Sequence, residues 1–200
     1  MTKAQKRKKA RRIRLIVTTI AVVVVAALCV AALRWGFDRF SKTAFPLPYQ
    51  EYVEQYAADY DVAPSLVYAV MVTESSFNPD AVSSAGAVGL MQLTTDTFDW
   101  ARMRMGTPDN GMTVDDLYTP AVNIQYGTYV LSLLREDFES TATLLAAYNA
   151  GRTTVLEWLQ DERYSTDGKI LQDIPIDETR QYVLKVLQTQ EAYQQLYDIE

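Results

Sequence analysis

Leu15 to Leu33 is a run of 19 residues without a charge, rich in Val and Ala. As a helix it would rise 1.5 Å per residue to roughly 28 Å, close to the hydrocarbon thickness of a bilayer. Residues 1–14, immediately before it, hold eight Lys or Arg and no acid. A basic flank stays cytoplasmic, which sends the C-terminal part of the chain out of the cytoplasm. Trp35 and Phe37 follow at positions suited to interfacial aromatics. A cleaved signal peptide competes with this reading, but its apolar region is usually shorter and ends in a small-x-small site. Ala-x-Ala does not occur here, and Val30-Ala31-Ala32 is a feeble substitute. A lipid-modified Cys29 is disfavoured because Leu28 is too large for the position before it. The expectation is an uncleaved, single-pass signal anchor in the cell membrane. The chain then divides into a basic cytoplasmic head (1–14), a membrane span (15–33), a tether (34–48) and one domain (49–200). The tether contains Pro46 and Pro48 and reaches at most about 50 Å, keeping the domain near the membrane.

The roughly 150 residues from Pro48 onward suffice for a domain with its own core. An apolar fraction of 48% is not that of a disordered chain. The net charge of −6 hides an asymmetry, since the residues after the basic head carry 11 basic and 25 acidic side chains. So acidic a domain would repel phosphates, which argues against nucleic acid as a partner and against the head as a nucleic-acid tail. A glycan bound there must be held by hydrogen bonds and aromatic faces. The chain has no histidine, which removes a His general base, a Ser-His-Asp triad and any His-ligated metal. No cofactor or metal is implied. Cys29 is the only cysteine, so no intramolecular disulfide forms, and its apolar surroundings imply a buried, inert thiol.

Within the domain, residues 63–92 carry the most chemistry. Pro64 suits the first turn of a helix and Asp61 is placed to cap it. Val67, Val70, Met71 and Glu74 follow the i, i+3, i+4, i+7 spacing, so they share one face. Three are apolar and the fourth is a carboxylic acid at the helix end. An apolar stripe and the negative end of the helix dipole both raise a carboxyl pKa, as a general acid requires. By itself, a Glu at this place is more often a solvated helix end. Pro79 and Gly86 then break regular structure, in a small, polar loop from Ser76 to Val88 that a polymer can approach closely.

These residues resemble the catalytic segment of the soluble-lytic-transglycosylase family, whose fold is lysozyme-like. The resemblance rests on Glu74-Ser75-Ser76-Phe77-Asn78-Pro79, on Ser83 to Gly86, and on Gly89-Leu90-Met91-Gln92. It continues through Asn123 to Gly127, Ala147-Tyr148-Asn149-Ala150-Gly151, and Pro175 with Glu178-Thr179. It covers about residues 49–190, and its pieces come in the family's order and spacing. It implies an all-α, lysozyme-like domain behind the single transmembrane helix. It also implies that Glu74 is catalytic, that Ser83 and Gln92 contact the sugar near the scissile bond, and that Tyr148 faces Glu74 and the sugar. Asn123, Asn149 and Glu178 join the substrate-binding set by the same resemblance. Two departures stand out. Thr94-Thr95 replaces the family's usual Met-Pro, with Thr95 able to cap the next helix, and Ile176 replaces a Tyr before Glu178-Thr179.

The remaining pattern is helical. Tyr49 to Tyr60 has Tyr49, Tyr52, Val53, Tyr56 and Ala57 at helical spacing. Residues 106–116 form a polar loop whose Asp115 and Asp116 lack the spacing of a calcium loop and read as solvated turn acids. Thr119-Pro120 opens a helix to about Asp137, in which Gly127 permits a close helix–helix contact. Ser140 caps a helix from Thr141 to Asn149 ending at Gly151, a further helix spans Thr153 to Gln160 with Trp158 on its apolar side, and Asp177 caps a last helix to Tyr197.

The function this implies is cleavage of the β-1,4 bond between N-acetylmuramic acid and N-acetylglucosamine in peptidoglycan strands. Most glycosidases use two carboxylates. The family resembled here uses one, acting as acid and then as base, while the muramic acid's own 6-hydroxyl closes a 1,6-anhydro ring. Two alternatives are a muramidase of the same fold, which hydrolyses with water, and a non-catalytic peptidoglycan-binding or scaffold module.

Overall fold

The computed structural model describes residues 3–109 and 111–199. Asn110 of the polar loop lies outside the described residues, as do the side chains of residues 4–6, 8–13, 37 and 38, which include most of the basic head and Phe37. The chain forms two compact units, residues 1–46 and residues 47–200.

The first unit is one continuous helix, α1 (Lys3–Ala44). Its segment Arg14–Ala44 is long and apolar enough to cross a membrane. Leu15 to Leu33 are all exposed on it, Cys29 among them, because a lone helix has no interior in which to bury a thiol. The helix also runs through most of the residues expected as an extended tether. Nothing between Arg34 and Ala44 breaks it except Gly36, a residue that weakens a helix without ending it, and Pro46 stops it.

The second unit is mostly helical, with no named strand among its described residues. Its elements are α2 (Gln50–Asp59), α3 (Pro64–Ser75), α4 (Thr95–Arg104), a short 3-10 helix (Val114–Tyr118), α5 (Pro120–Asp137), α6 (Thr141–Ala150), α7 (Arg152–Leu159) and α8 (Asp177–Tyr197). Helix α3 is the centre. Every residue from Ser65 to Met71 is buried, which suits a helix apolar on all sides. It packs most extensively on α8, which also covers α6, while α5 carries α2, α4 and α6. Tyr68 of α3 stacks on Tyr193 of α8, with ring centroids 5.2 Å apart.

Several caps differ from the sequence expectation. Asp61 does not cap α3. It adopts a left-handed backbone (φ 53°), and its carboxylate instead accepts from Arg135 Nη2 at 2.9 Å. Thr94, one residue before the expected Thr95, caps α4 by accepting the Thr97 N–H at 3.2 Å. Ser140 makes no side-chain cap, and Asp177 is the first residue of α8 rather than its cap. In the 106–116 loop, Asp116 closes a capping box with Thr113 at the start of the 3-10 helix. Gly127 admits a side chain rather than another helix, since a Cβ there would run into Met91.

Candidate active site

Between α3 and α4 the chain makes a compact loop. Antiparallel bridges join Val88 to both Val82 and Leu93, and Gly89 turns with φ +78°. A Cβ at Gly89 would collide with the Asn123 side chain and the Leu117 carbonyl, so only glycine fits. Asn123 is fully buried and serves the loop with all its polar atoms. Its Oδ1 accepts the Met91 amide at 2.8 Å, and its Nδ2 donates to the Val88 and Leu117 carbonyls, each at 2.9 Å. Ser75, next to the acid, donates to the Leu90 carbonyl at 2.8 Å. The backbone of residues 88–93 is thus pinned from α3 and α5 before any ligand arrives.

That loop forms one wall of a cleft of about 370 Å³. Glu74, Ser83, Gln92, Tyr148, Asn149 and Glu178 all line it. The fold therefore gathers six of the seven residues singled out from sequence. The seventh, Asn123, is a correction: it lies beneath the loop, with both amide ends spent on backbone, and cannot reach a ligand. Ser83 accepts the Ala87 N–H at 3.1 Å, which orders the loop tip. Gln92, with a left-handed backbone (φ 49°), donates from Nε2 to the carbonyls of Ala81 and Gly89 at 3.1 and 3.0 Å. Its Oε1 remains as an acceptor for the cleft. Thr94, where the family pattern departs, shares a 2.9 Å hydroxyl contact with Thr97 on the same wall, and Trp100 lies one turn beyond.

Glu74 ends the buried face of α3. Burial raises its carboxyl to about 7, against the smaller opposing influences of the Tyr182 hydroxyl and the Lys185 charge. The carboxyl is thus poised between acid and base near neutral pH. Tyr148 of α6 donates its hydroxyl to the Met91 carbonyl at 2.8 Å, rather than to Glu74. Burial and the Glu74 charge together push this phenol well above its ordinary value, so it stays protonated. Tyr182 of α8 does the same from the other side. Its hydroxyl is buried near Glu74, outside ordinary hydrogen-bond geometry with any protein atom, and its pKa too is pushed well up by burial.

Sequence reasoning passed over Tyr182. The available signal was its spacing, one helical turn after Glu178, in a helix expected to face the cleft. It also passed over Arg152, which lines the cleft just past Gly151 and pairs with Asp137 of α5, Nε to Oδ2 at 2.6 Å and Nη2 to Oδ1 at 3.0 Å. That pairing holds the Asp137 carboxyl below its usual range.

Comparison with known proteins fits this geometry. The family described as the transglycosylase SLT domain matches residues 51–171. The membrane-bound lytic murein transglycosylase C of Actinobacillus pleuropneumoniae is 32% identical over 169 residues, spanning 72% of this chain and 45% of that protein. The soluble lytic murein transglycosylase of Salmonella typhimurium is 34% identical over 145 residues, spanning 72% of this chain and 22% of that protein. Among solved structures, the 70-kDa soluble lytic transglycosylase of Escherichia coli superposes with a TM-score of 0.68 at 30% identity, covering 78% of this chain and 25% of that one. An inactive Glu-to-Gln mutant of the Pseudomonas aeruginosa enzyme Slt gives 0.67 at 32% identity, with the same coverage. The chain spans less than half the length of these relatives. The match runs from within α2 through the Glu74 helix, the pinned loop and the Tyr148 helix, and by sequence and by fold the chain belongs to the transglycosylase SLT domain family.

Proposed function

We propose that this protein is a membrane-anchored lytic transglycosylase that cleaves peptidoglycan between N-acetylmuramic acid and N-acetylglucosamine, with Glu74 as its single catalytic carboxyl. The observation that carries the reading is a glutamate at about 7 in a cleft shared with Gln92, Tyr148 and Asn149. Protonated, Glu74 donates to the leaving glycosidic oxygen. As carboxylate, it then takes the proton from the muramic acid's 6-hydroxyl, which attacks C1 and closes the 1,6-anhydro ring. The attacker belongs to the substrate, so no second carboxylate is required to activate water. Ser83, Asn149, Glu178 and the Gln92 Oε1 are assigned to hydrogen bonds with the sugars. The names of the relatives support the substrate, and a solved relative inactive as a Glu-to-Gln mutant supports chemistry resting on one glutamate.

The division of labour along the chain belongs to the same proposal. Residues 15–33 cross the membrane once, the basic residues 1–14 stay in the cytoplasm, and residues 49–200 work outside. The test is incubation of the full-length chain in detergent, wild type and Glu74→Gln, with purified peptidoglycan, followed by mass spectrometry. Anhydromuropeptides from wild type alone support the proposal. Reducing ends that depend on Glu74 would make it a muramidase. Binding without release by either protein would make it a binding module.

A further inference from the structure

Among the described residues lining the cleft, Arg152 is the single cation, and the other charged groups, Glu74 and Glu178, are acids. Its position is unfavourable by local rules, because it opens α7, where the helix dipole repels a positive charge. Gly151, with φ 94°, makes the turn that puts it there, directly after Tyr148 and Asn149 on the same wall. Asp137 compensates the charge through two parallel bonds to one edge of the guanidinium, Nε and Nη2. A guanidinium has five N–H donors in a rigid fork. The second edge, Nη1 with the outer N–H of Nη2, has no acceptor among the described residues, and the side chain is 43% exposed. An arginine held on one edge has already lost much of its rotamer freedom, and its open edge matches a second planar anion.

A peptidoglycan strand is neutral along its sugar rings. Its carboxylates sit on the lactyl arm of muramic acid, either as the free lactyl group or on a stem peptide attached to it. We propose that the open edge of Arg152, oriented by Asp137, is a subsite for a carboxylate on that arm. This rests on the peptidoglycan reading above. It makes the cleft sensitive to the decoration of the strand as well as to its sugars.

The test measures binding by calorimetry, with the full-length Glu74→Gln chain in detergent so that nothing turns over. Three probes of equal sugar length are compared: stem-bearing glycan fragments, stem-free fragments with a free lactyl carboxylate, and N-acetylglucosamine oligomers with no carboxylate. The expected result is a preference of about tenfold for a carboxylate-bearing probe over the carboxylate-free one, lost when Arg152→Gln is added. A preference for stem-free fragments alone assigns the free lactyl carboxylate, a preference for stem-bearing fragments alone assigns the peptide, and a preference for both shows that the subsite takes a carboxylate from either place on the arm. Asp137→Asn removes the ion pair but keeps the cation and one acceptor to orient it, so it should retain most of the preference. A loss in Asp137→Asn equal to that in Arg152→Gln would trace the effect to the broken pair and overturn the subsite. An undiminished preference in Arg152→Gln, or none in the parent, would also overturn it. The cleavage reading is judged separately, by the products that the wild-type chain releases.

Discussion

Tyr182 on α8 sets its buried hydroxyl beside the carboxyl of Glu74 on α3, and the two groups influence each other's ionisation. Among the described residues the hydroxyl meets no acceptor at ordinary hydrogen-bond geometry, and the carboxyl beside it is the group whose ionisation it influences. Tyr182→Phe removes the group that favours the ionised carboxyl, so Glu74 should hold its proton to higher pH. The alkaline limb of the kcat/KM profile should move upward by comparison with wild type. An unmoved limb would show that the hydroxyl does not act on Glu74.

Glu74 itself makes stability depend on pH with an unusual sign. Its folded value of about 7 lies above the ordinary 4.5, so between these two the folded chain binds a proton that the unfolded chain releases. Stability from this group is therefore complete below about 4.5 and declines as pH rises through 7, by at most about 3 kcal/mol. Glu74→Gln cannot ionise and should lack that decline. Urea unfolding at pH 4.5 and pH 8 should thus favour the variant over wild type at pH 8 alone, while the peptidoglycan cleavage proposed above should fall by at least about a thousandfold.

Asn123→Ala should be among the most damaging single changes that touch no ligand. It strips partners from the Met91 N–H and from the Val88 and Leu117 carbonyls, all in the interior. Unsatisfied buried groups of this kind cost about 1–3 kcal/mol each, so a loss of about 3 kcal/mol overall is expected in chemical denaturation. Asn123→Asp keeps the shape but loses both donors and buries a charge, and should be no better.

Gly127→Ala adds one methyl group where the Met91 side chain already lies. Overpacking of this sort costs about 1–3 kcal/mol. Here it also pushes on the residue whose carbonyl holds Tyr148, so catalytic rate should fall along with the melting temperature. A variant that loses stability at full rate would show that the loop absorbs the strain without moving Tyr148.

Much of this was legible before the structure, and for local reasons. Pro64, Pro120 and Gly151 mark helix ends by backbone chemistry that needs no tertiary partner, and α3, α5 and α6 begin or end there. Glu74 was legible because the residues around it, Glu74 to Pro79 and Gly89 to Gln92, resemble a known catalytic segment, while its place at the end of an apolar stripe alone suits a solvated helix end as well. What escaped depends on contacts distant in sequence. The role of Asn123 is set by the Val88 carbonyl and the Met91 amide, both more than 30 residues away, and its side-chain chemistry alone suits a ligand equally well. Tyr182 reaches Glu74 only because α3 and α8 pack together. Asp61 looked like a cap by position, yet Arg135 from α5 claims its carboxylate. The residues after Leu33 read as a tether with Pro46 and Pro48 near its end, yet a proline halts a helix without melting the turns before it, and α1 continues to Ala44.

Met91 is a shared joint. Its amide belongs to Asn123, its carbonyl to Tyr148, and its side chain to the space left by Gly127. Three residues from two helices, α5 and α6, are thus fitted to one residue, which ties their evolutionary histories together. A change at position 91, 123, 127 or 148 alters what the other three can accept, so their mutational effects should combine non-additively. Chimeras with relatives that split this foursome between parents should fail more often than those that move it as a block. A library meant to alter what the cleft accepts does better to vary Thr94, Thr97 and Trp100, whose side chains face the cleft without carrying this joint.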